Sequence, residues 1–169
     1  MKKNFYIIDG TALLYRSYFA FVNNPLINGK GFDTGALFGF SNSIIKILEE
    51  YKPDFVAVSF DEREPTFRHK LYDAYKATRE KMPEDLIMQV PYTRYIVEAF
   101  NIPVYAMPGY EADDIMATLA KKGKEAGMNI GSLKVGLDSL QSRLESKSVQ
   151  SDPNAKADLL LQIEYVRNT

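Results

Sequence analysis

Acidic residues stand at three places in this sequence where chemistry could use them. Asp9 ends the apolar run "NFYIID", Asp61 ends "DFVAVSFD", and Glu111, Asp113 and Asp114 crowd into four positions of "MPGYEADDIMATLAKK". The last stretch reads as the first turn of a helix, where unpaired backbone N–H groups favour negative charge. Any one of the five could simply cap a helix or serve its dipole, but capping does not require two strands to end in Asp. Gathered at one edge, five carboxylates would repel strongly, and the usual remedy is a divalent cation. The chain has no cysteine and one histidine, so a metal must be held by oxygen ligands or by His69. Carboxylate, carbonyl and water oxygens suit Mg²⁺ or Mn²⁺. Two such ions ~4 Å apart can stabilise both the attacking and the leaving oxygen of a phosphodiester cleavage.

A basic-aromatic stretch, "TFRHKLYDAYKATREK", lies between the second acid and the third cluster. On a continuous helix Arg68, Tyr72, Tyr75 and Arg79 fall on one face, with Lys76 beside them. Cations neutralise phosphates, and tyrosines stack on unpaired bases. Alone, the stretch reads better as a solvated helix with tyrosines on the core; beside a carboxylate–metal site it reads as a nucleic-acid contact. Arg16 adds a cation one helical segment after Asp9. His69 reads as a surface or packing residue.

The elements that must position these groups follow from periodicity. Residues 4–9, 54–61 and 102–107 are short apolar runs rich in β-formers and read as buried strands. Thr11 is expected to cap a helix through "ALLYRSYFAFV", and Thr34 to open a long one with Leu37, Phe40, Ile44, Leu48 and Tyr51 at helical spacing. Residues 65–81 and 83–100 are expected to be helical, with a break or restart at Pro91. Strand, helix, strand, helices, strand, helix is the grammar of an α/β domain with a mostly parallel sheet flanked by helices. Ligands bind outside the carboxyl ends of such strands, which brings Asp9, Asp61 and the 111–114 acids to one edge. If Ala112, Ile115, Met116 and Leu119 form the buried stripe, Glu111 and Asp113 flank it and Asp114 points away. The three acids can then share a site only if the helix points at it end-on.

The totals set the bounds. With 169 residues, 46% apolar and 25% charged, the chain is about one soluble globular domain. No apolar run approaches the ~20 residues of a membrane span. "MKKNFYIIDG" does not read as a signal peptide, and the expected setting is cytoplasmic. A net charge of −1 gives no overall basic signature, so nucleic-acid binding requires segregated charge.

Together "IIDGTALLYRSYFAF", "GALFGFSN", "PDFVAVSFD", "PTFRHKLYDAYKATREKMPEDL" and "IPVYAMPGYEADDIMATLAKK" resemble the 5′ nuclease domain of bacterial DNA polymerase I, in the flap-endonuclease branch of the PIN-like, resolvase-like nucleases. The likeness is continuous over about 1–129. It implies that Asp9, Asp61 and the acids of "EADD" hold two metal ions, that Lys76 and Arg79 contact the phosphate at the cleavage point, and that Arg16 binds DNA. It implies cleavage of 5′ ends and flaps, removing RNA primers and displaced strands, with DNA and RNA–DNA hybrids as partners and no membrane.

After residue 129 the likeness fails. The family continues into a Thr-Gly-Asp-Lys-Asp turn that completes the metal site, whereas here the text is "NIGSLKVGLDSLQSRLESKSVQ". Alignment on the Leu-Gln that follows sets Gly136 at the first aspartate and Asp138 at the second. Leu133, Leu137, Leu140 and Leu144 read equally well as a helix, and residues 153 onward as another. The chain is therefore expected to comprise a nuclease-like core (1–129) and a helical tail (130–169) that covers a sheet edge or makes an oligomer. One metal ion instead of two is an open alternative. So is a DNA-binding or assembly module without turnover, or a fragment whose tail only rescues solubility.

Overall fold

A computed structural model describes residues 1–72, 75–76 and 81–133. Among these residues four strands form one sheet in the order β3-β2-β1-β4, and every pairing is parallel. They are β1 (Asn4–Asp9), β2 (Phe55–Ser59), β3 (Val104–Tyr105) and β4 (Asn129–Leu133). Between them run α1 (Gly10–Phe21), α2 (Gly35–Tyr51), α3 (Phe67–Leu71), α4 (Glu84–Ala99) and α5 (Ala112–Glu125). The α/β reading with a helix-flanked parallel sheet is thus what the chain forms. Parallel strands are covered on both faces, which is why β1 and β2 read as unbroken apolar runs. Ile8 and Val58 join a core built from α1, α2 and α4 around Leu13, Phe40, Ile44, Leu86 and Val97. The alternate residue Phe5 lies toward α5, where a Cβ on Gly123 would stand 3.0 Å from its ring. By the same alternation Asp9 belongs to the α5 side of β1.

Helix starts differ from expectation in an informative way. Asp9, not Thr11, caps α1: its Oδ1 accepts from Ala12 N at 2.9 Å. Thr34 occupies the N-cap position of α2, but its hydroxyl donates to the Leu26 carbonyl, and Asp33 Oδ1 accepts from Gly35 N instead. The unpaired Leu37 N–H of that first turn is met from another helix, by Gln89 Oε1 at 3.2 Å. Gln89 is wholly buried, and its amide nitrogen donates to the Asp85 carbonyl. Gln89→Ala would orphan a helix-end donor and open a void. We expect a loss of about 2 kcal/mol, read as a lowered urea midpoint at unchanged slope.

Pro91 neither breaks nor restarts α4, which is continuous from Glu84 to Ala99. Pro91 and Ile87 are both exposed, so the Ile87 carbonyl that lacks a helical N–H partner lies on the solvent side. Of the expected helix over 65–81, the described residues form only the five of α3, and Tyr72 after it is extended (φ −148°, ψ 104°). The C-terminal reading also changes at its start, because residues 129–133 are a strand beside β1, in register from Asn4↔Asn129 to Ile8↔Leu133. The rest of the expected helical tail lies outside the described residues.

Candidate functional site

The edge where β1 and β2 end carries the site. The Asp9 and Ser59 Cα atoms are partners at the end of the ladder, and two residues on, Asp61 N donates to Thr11 Oγ1 at 2.9 Å. The Asp61 carboxylate then reaches the start of α5, accepting from Ala112 N at 2.8 Å. Ser59 Oγ donates to the Ala112 carbonyl, a second tie between β2 and that helix. Strand end and helix start are therefore locked together, and the helix meets the site end-on, as the acid spacing required.

Glu111 is the N-cap of α5 and is buried. Asp114, three residues on, accepts from Glu111 N at 3.0 Å, closing a capping box in which both partners are carboxylates. Two cations neutralise the pair. Arg68 makes a two-pronged contact with Asp114, Nη1 to Oδ2 and Nη2 to Oδ1, each 2.7 Å. Lys76 Nζ lies 3.1 Å from Glu111 Oε1, and Tyr75 donates its hydroxyl to Glu111 Oε2 at 3.1 Å. The hydrogen-bonded Arg68 guanidinium holds the Asp114 carboxyl below its usual range, and that contact in turn raises Arg68. Burial, followed by the bond to Glu111, pushes the Tyr75 phenol up.

The shortened helix now has its reason. Tyr75 and Lys76 sit in a turn, with Lys76 in the left-handed region (φ 55°), and both side chains meet Glu111. Tertiary contact to an acid overrides the helical pattern of the segment. Arg68 faces Asp114, Tyr72 is exposed, and Tyr75 is held by its hydroxyl with His69 edge-on to its ring at 5.2 Å, so the expected single face does not form. His69 packs, as expected: its Nδ1 accepts from Thr66 N at 3.2 Å. A cleft of about 520 Å³ opens here, lined by Asp61, Glu62, Thr66, His69, Lys76 and Glu111 among others. Arg16 and Asp113 are half-buried, on α1 and on the first turn of α5. Arg79 and Asp138 lie outside the described residues.

Among the described residues, no three acidic or histidine side chains converge closely enough to hold a metal ion. The donor chemistry nevertheless suits a hard divalent cation, being all carboxylate, and Glu111 and Asp114 already hold cationic groups at ion-pair distance. Three residues named from the sequence take other roles in the structure. Thr11 orients Asp61, Tyr75 acts as a donor instead of a stacking ring, and Arg68 binds an acid of the same chain. Only the role of Thr11 had a signal, as the first hydroxyl after a strand-ending Asp-Gly.

A sequence profile for the 5′-3′ exonuclease N-terminal, resolvase-like domain matches residues 4–145. The chain belongs to this family. It is similar to DNA polymerase I of Caldicellulosiruptor bescii, 44% identical over 135 residues, which is 80% of this chain and 16% of that protein. It is also similar to a 5′-3′ exonuclease of Aquifex aeolicus, 39% identical over 128 residues, 76% of this chain and 44% of that one. The chain thus spans less than half the length of either relative. The solved structure of T5 D15 protein co-crystallised with metal ions shares the fold, with a TM-score of 0.51 at 24% identity over 70% of this chain and 44% of that one. The match to 4–145 carries the family past residue 129, across β4, where the resemblance by motif stops. Among the described residues no helix is long and apolar enough to cross a membrane.

The depressed Asp114 carboxyl makes stability depend on pH. The Arg68 hydrogen bonds hold its folded value below that of an ordinary aspartate, so its contribution is fully present above the ordinary value and is lost as pH falls through the folded one. Between pH 5 and 2, Asp114→Asn should therefore lose less stability than the parent. Urea midpoints by circular dichroism at each pH test this.

Proposed function

We propose that this chain is a divalent-metal-dependent 5′ nuclease domain that hydrolyses phosphodiester bonds of DNA at 5′ ends and flaps. One observation carries the reading: Asp61 bonds the first turn of α5, which carries Glu111 and Asp114, and Arg68 and Lys76 pair with those two acids. Asp9, Asp61, Glu111, Asp113 and Asp114 would hold Mg²⁺ or Mn²⁺, with Asp138 a further ligand. A bound ion would supply an activated water and neutralise charge developing on the phosphate. Lys76, Arg79 and Arg16 would contact phosphates and orient the strand, and the exposed Tyr72 would stack on an unpaired base. RNA–DNA hybrids are a second substrate, and the cytoplasm the setting. Cleavage of a 5′-flap DNA by this chain in Mg²⁺ and Mn²⁺ tests the reading, and no cleavage in either ion rejects it.

A second reading, a DNA-binding module without turnover, is favoured by the lack of a three-acid cage among the described residues. Salt-sensitive flap binding in Ca²⁺ without cleavage in Mg²⁺ or Mn²⁺ would select it.

A further inference from the structure

Every carboxylate oxygen of Glu111 and Asp114 is engaged by the protein's own groups. Asp114 Oδ1 takes one prong of Arg68; Oδ2 takes the other and the Glu111 N–H. Glu111 Oε1 takes Lys76, while Oε2 takes the Tyr75 hydroxyl and lies 3.6 Å from Arg68 Nη1. Two cations thus face two anions in a mostly desolvated pocket, and the cluster is electrically complete without any ion. Lys76 reaches it from a left-handed backbone, which a non-glycine residue keeps only where contacts enforce it. A divalent cation entering between Glu111 and Asp114 must displace at least one of these side chains.

We propose that Arg68 and Lys76 are exchangeable counter-ions, which neutralise Glu111 and Asp114 in the metal-free domain and pass to the phosphates of a bound strand when a divalent cation takes the carboxylates. The inference rests on the metal-dependent reading above and adds the coupling between the two ligands. Metal binding frees two cations for nucleic acid, and a strand that holds those cations leaves the carboxylates open to metal, so each ligand favours the other by the same factor. Arg68 accordingly acts on metal binding through Asp114 and on the strand directly.

Calorimetric titration of Mg²⁺ into the parent chain, Arg68→Gln and Arg68→Lys tests the exchange without reference to turnover. Arg68→Gln should bind Mg²⁺ about three- to tenfold more tightly, since a partly exposed two-pronged ion pair no longer competes. Arg68→Lys keeps the charge but loses the fork and should fall between. The chain has no tryptophan, so Tyr72→Trp reports the 68–76 segment alone, and its emission should shift as Mg²⁺ saturates. In Ca²⁺ the logarithmic salt slope for single-strand binding should steepen by about 1.4, two further phosphate contacts at ~0.7 each. If the parent binds Mg²⁺ but Arg68→Gln binds no more tightly, the exchange is wrong and the metal reading stands. If the parent binds no divalent cation, both fall. Should Arg68→Gln fail to fold, Arg68→Lys and the tryptophan reporter decide: no gain in affinity and a static emission overturn the proposal.

Discussion

Asp61→Asn is expected to lower flap cleavage by about 10³-fold, roughly 4 kcal/mol in the barrier, while the domain keeps its fold and nearly all of its stability. The substitution separates the two roles this side chain can have. As a helix cap, Asp61 needs only an oxygen acceptor for Ala112 N, 2.8 Å away, and the asparagine carbonyl oxygen supplies one. The bond from Asp61 N to Thr11 Oγ1 belongs to the backbone and survives. What disappears is the negative charge, which matters little to a cap and greatly to a cation. Unfolding free energies from urea titration should stay within about 0.5–1 kcal/mol of the parent. Single-turnover cleavage measured beside them decides: parent-like rates would mean that Asp61 is a structural cap and nothing more. Asp61→Ala, which loses acceptor and charge together, should forfeit both stability and cleavage.

The two roles coexist throughout the cluster, and this explains how much of the site could be read in advance. The positions of Asp9 and Asp61 were legible because an apolar run that stops at an acid marks a strand end, and parallel strands end on one edge. The same logic located 111–114. What the pattern could not contain was the partner of each acid. Arg68 and Tyr75 fall at helical spacing with Tyr72, and that spacing wrongly predicts a shared face. The chain leaves the helix after Leu71 because Glu111 draws Tyr75 and Lys76 into a turn. Only the fold sets the distance from Glu111 to that segment, and no periodicity encodes it.

The fold shows the same division. Long buried runs such as β1 and β2 declare themselves, whereas β4 has only Ile130 and Leu133 as large apolar residues over five positions. Its place is fixed by its neighbour, since β1 offers an open edge and Gly123 in α5 lets the helix settle on Ile130, to which an added Cβ would come within 2.5 Å. Pro91 misled for the opposite reason. Proline always costs a helix its i→i−4 bond and a ring clash, but here the carbonyl it strands faces out, where water can bond it, so the added penalty of burial is absent. Gln89 and Thr93 weakened the signal of α4 further, being polar yet fully buried. Their hydrogen bonds to Leu37 N and to the Val90 carbonyl satisfy them inside the core.

Gly10→Ala is expected to be the most destabilising single-methyl change near the site, and to reduce cleavage beyond the loss of folded protein. Gly10 opens α1 immediately after Asp9, and a Cβ there would stand 2.5 Å from Phe60 Cε1 and 2.7 Å from Val58 Cγ1. Val58 is fixed in the sheet. Phe60 stacks on Phe40 at 6.3 Å, lies under the Arg94 guanidinium at 5.7 Å, and donates its N–H to the Tyr105 carbonyl. Neither can retreat cheaply, so the start of α1 must move outward. Overpacking of this kind costs about 1–3 kcal/mol, and at this chain length each kcal/mol lowers Tm by roughly 2–4 °C. The displaced helix start carries the Asp9 carboxylate with it, because Asp9 caps the first turn through Ala12 N. Phe60→Leu should relieve the clash, making the double variant more stable than the two single losses added together. Simple additivity would mean that Phe60 is not the obstacle. Gly29→Ala provides the control: nothing lies within 4 Å of the added methyl, so both Tm and cleavage should remain at parent values.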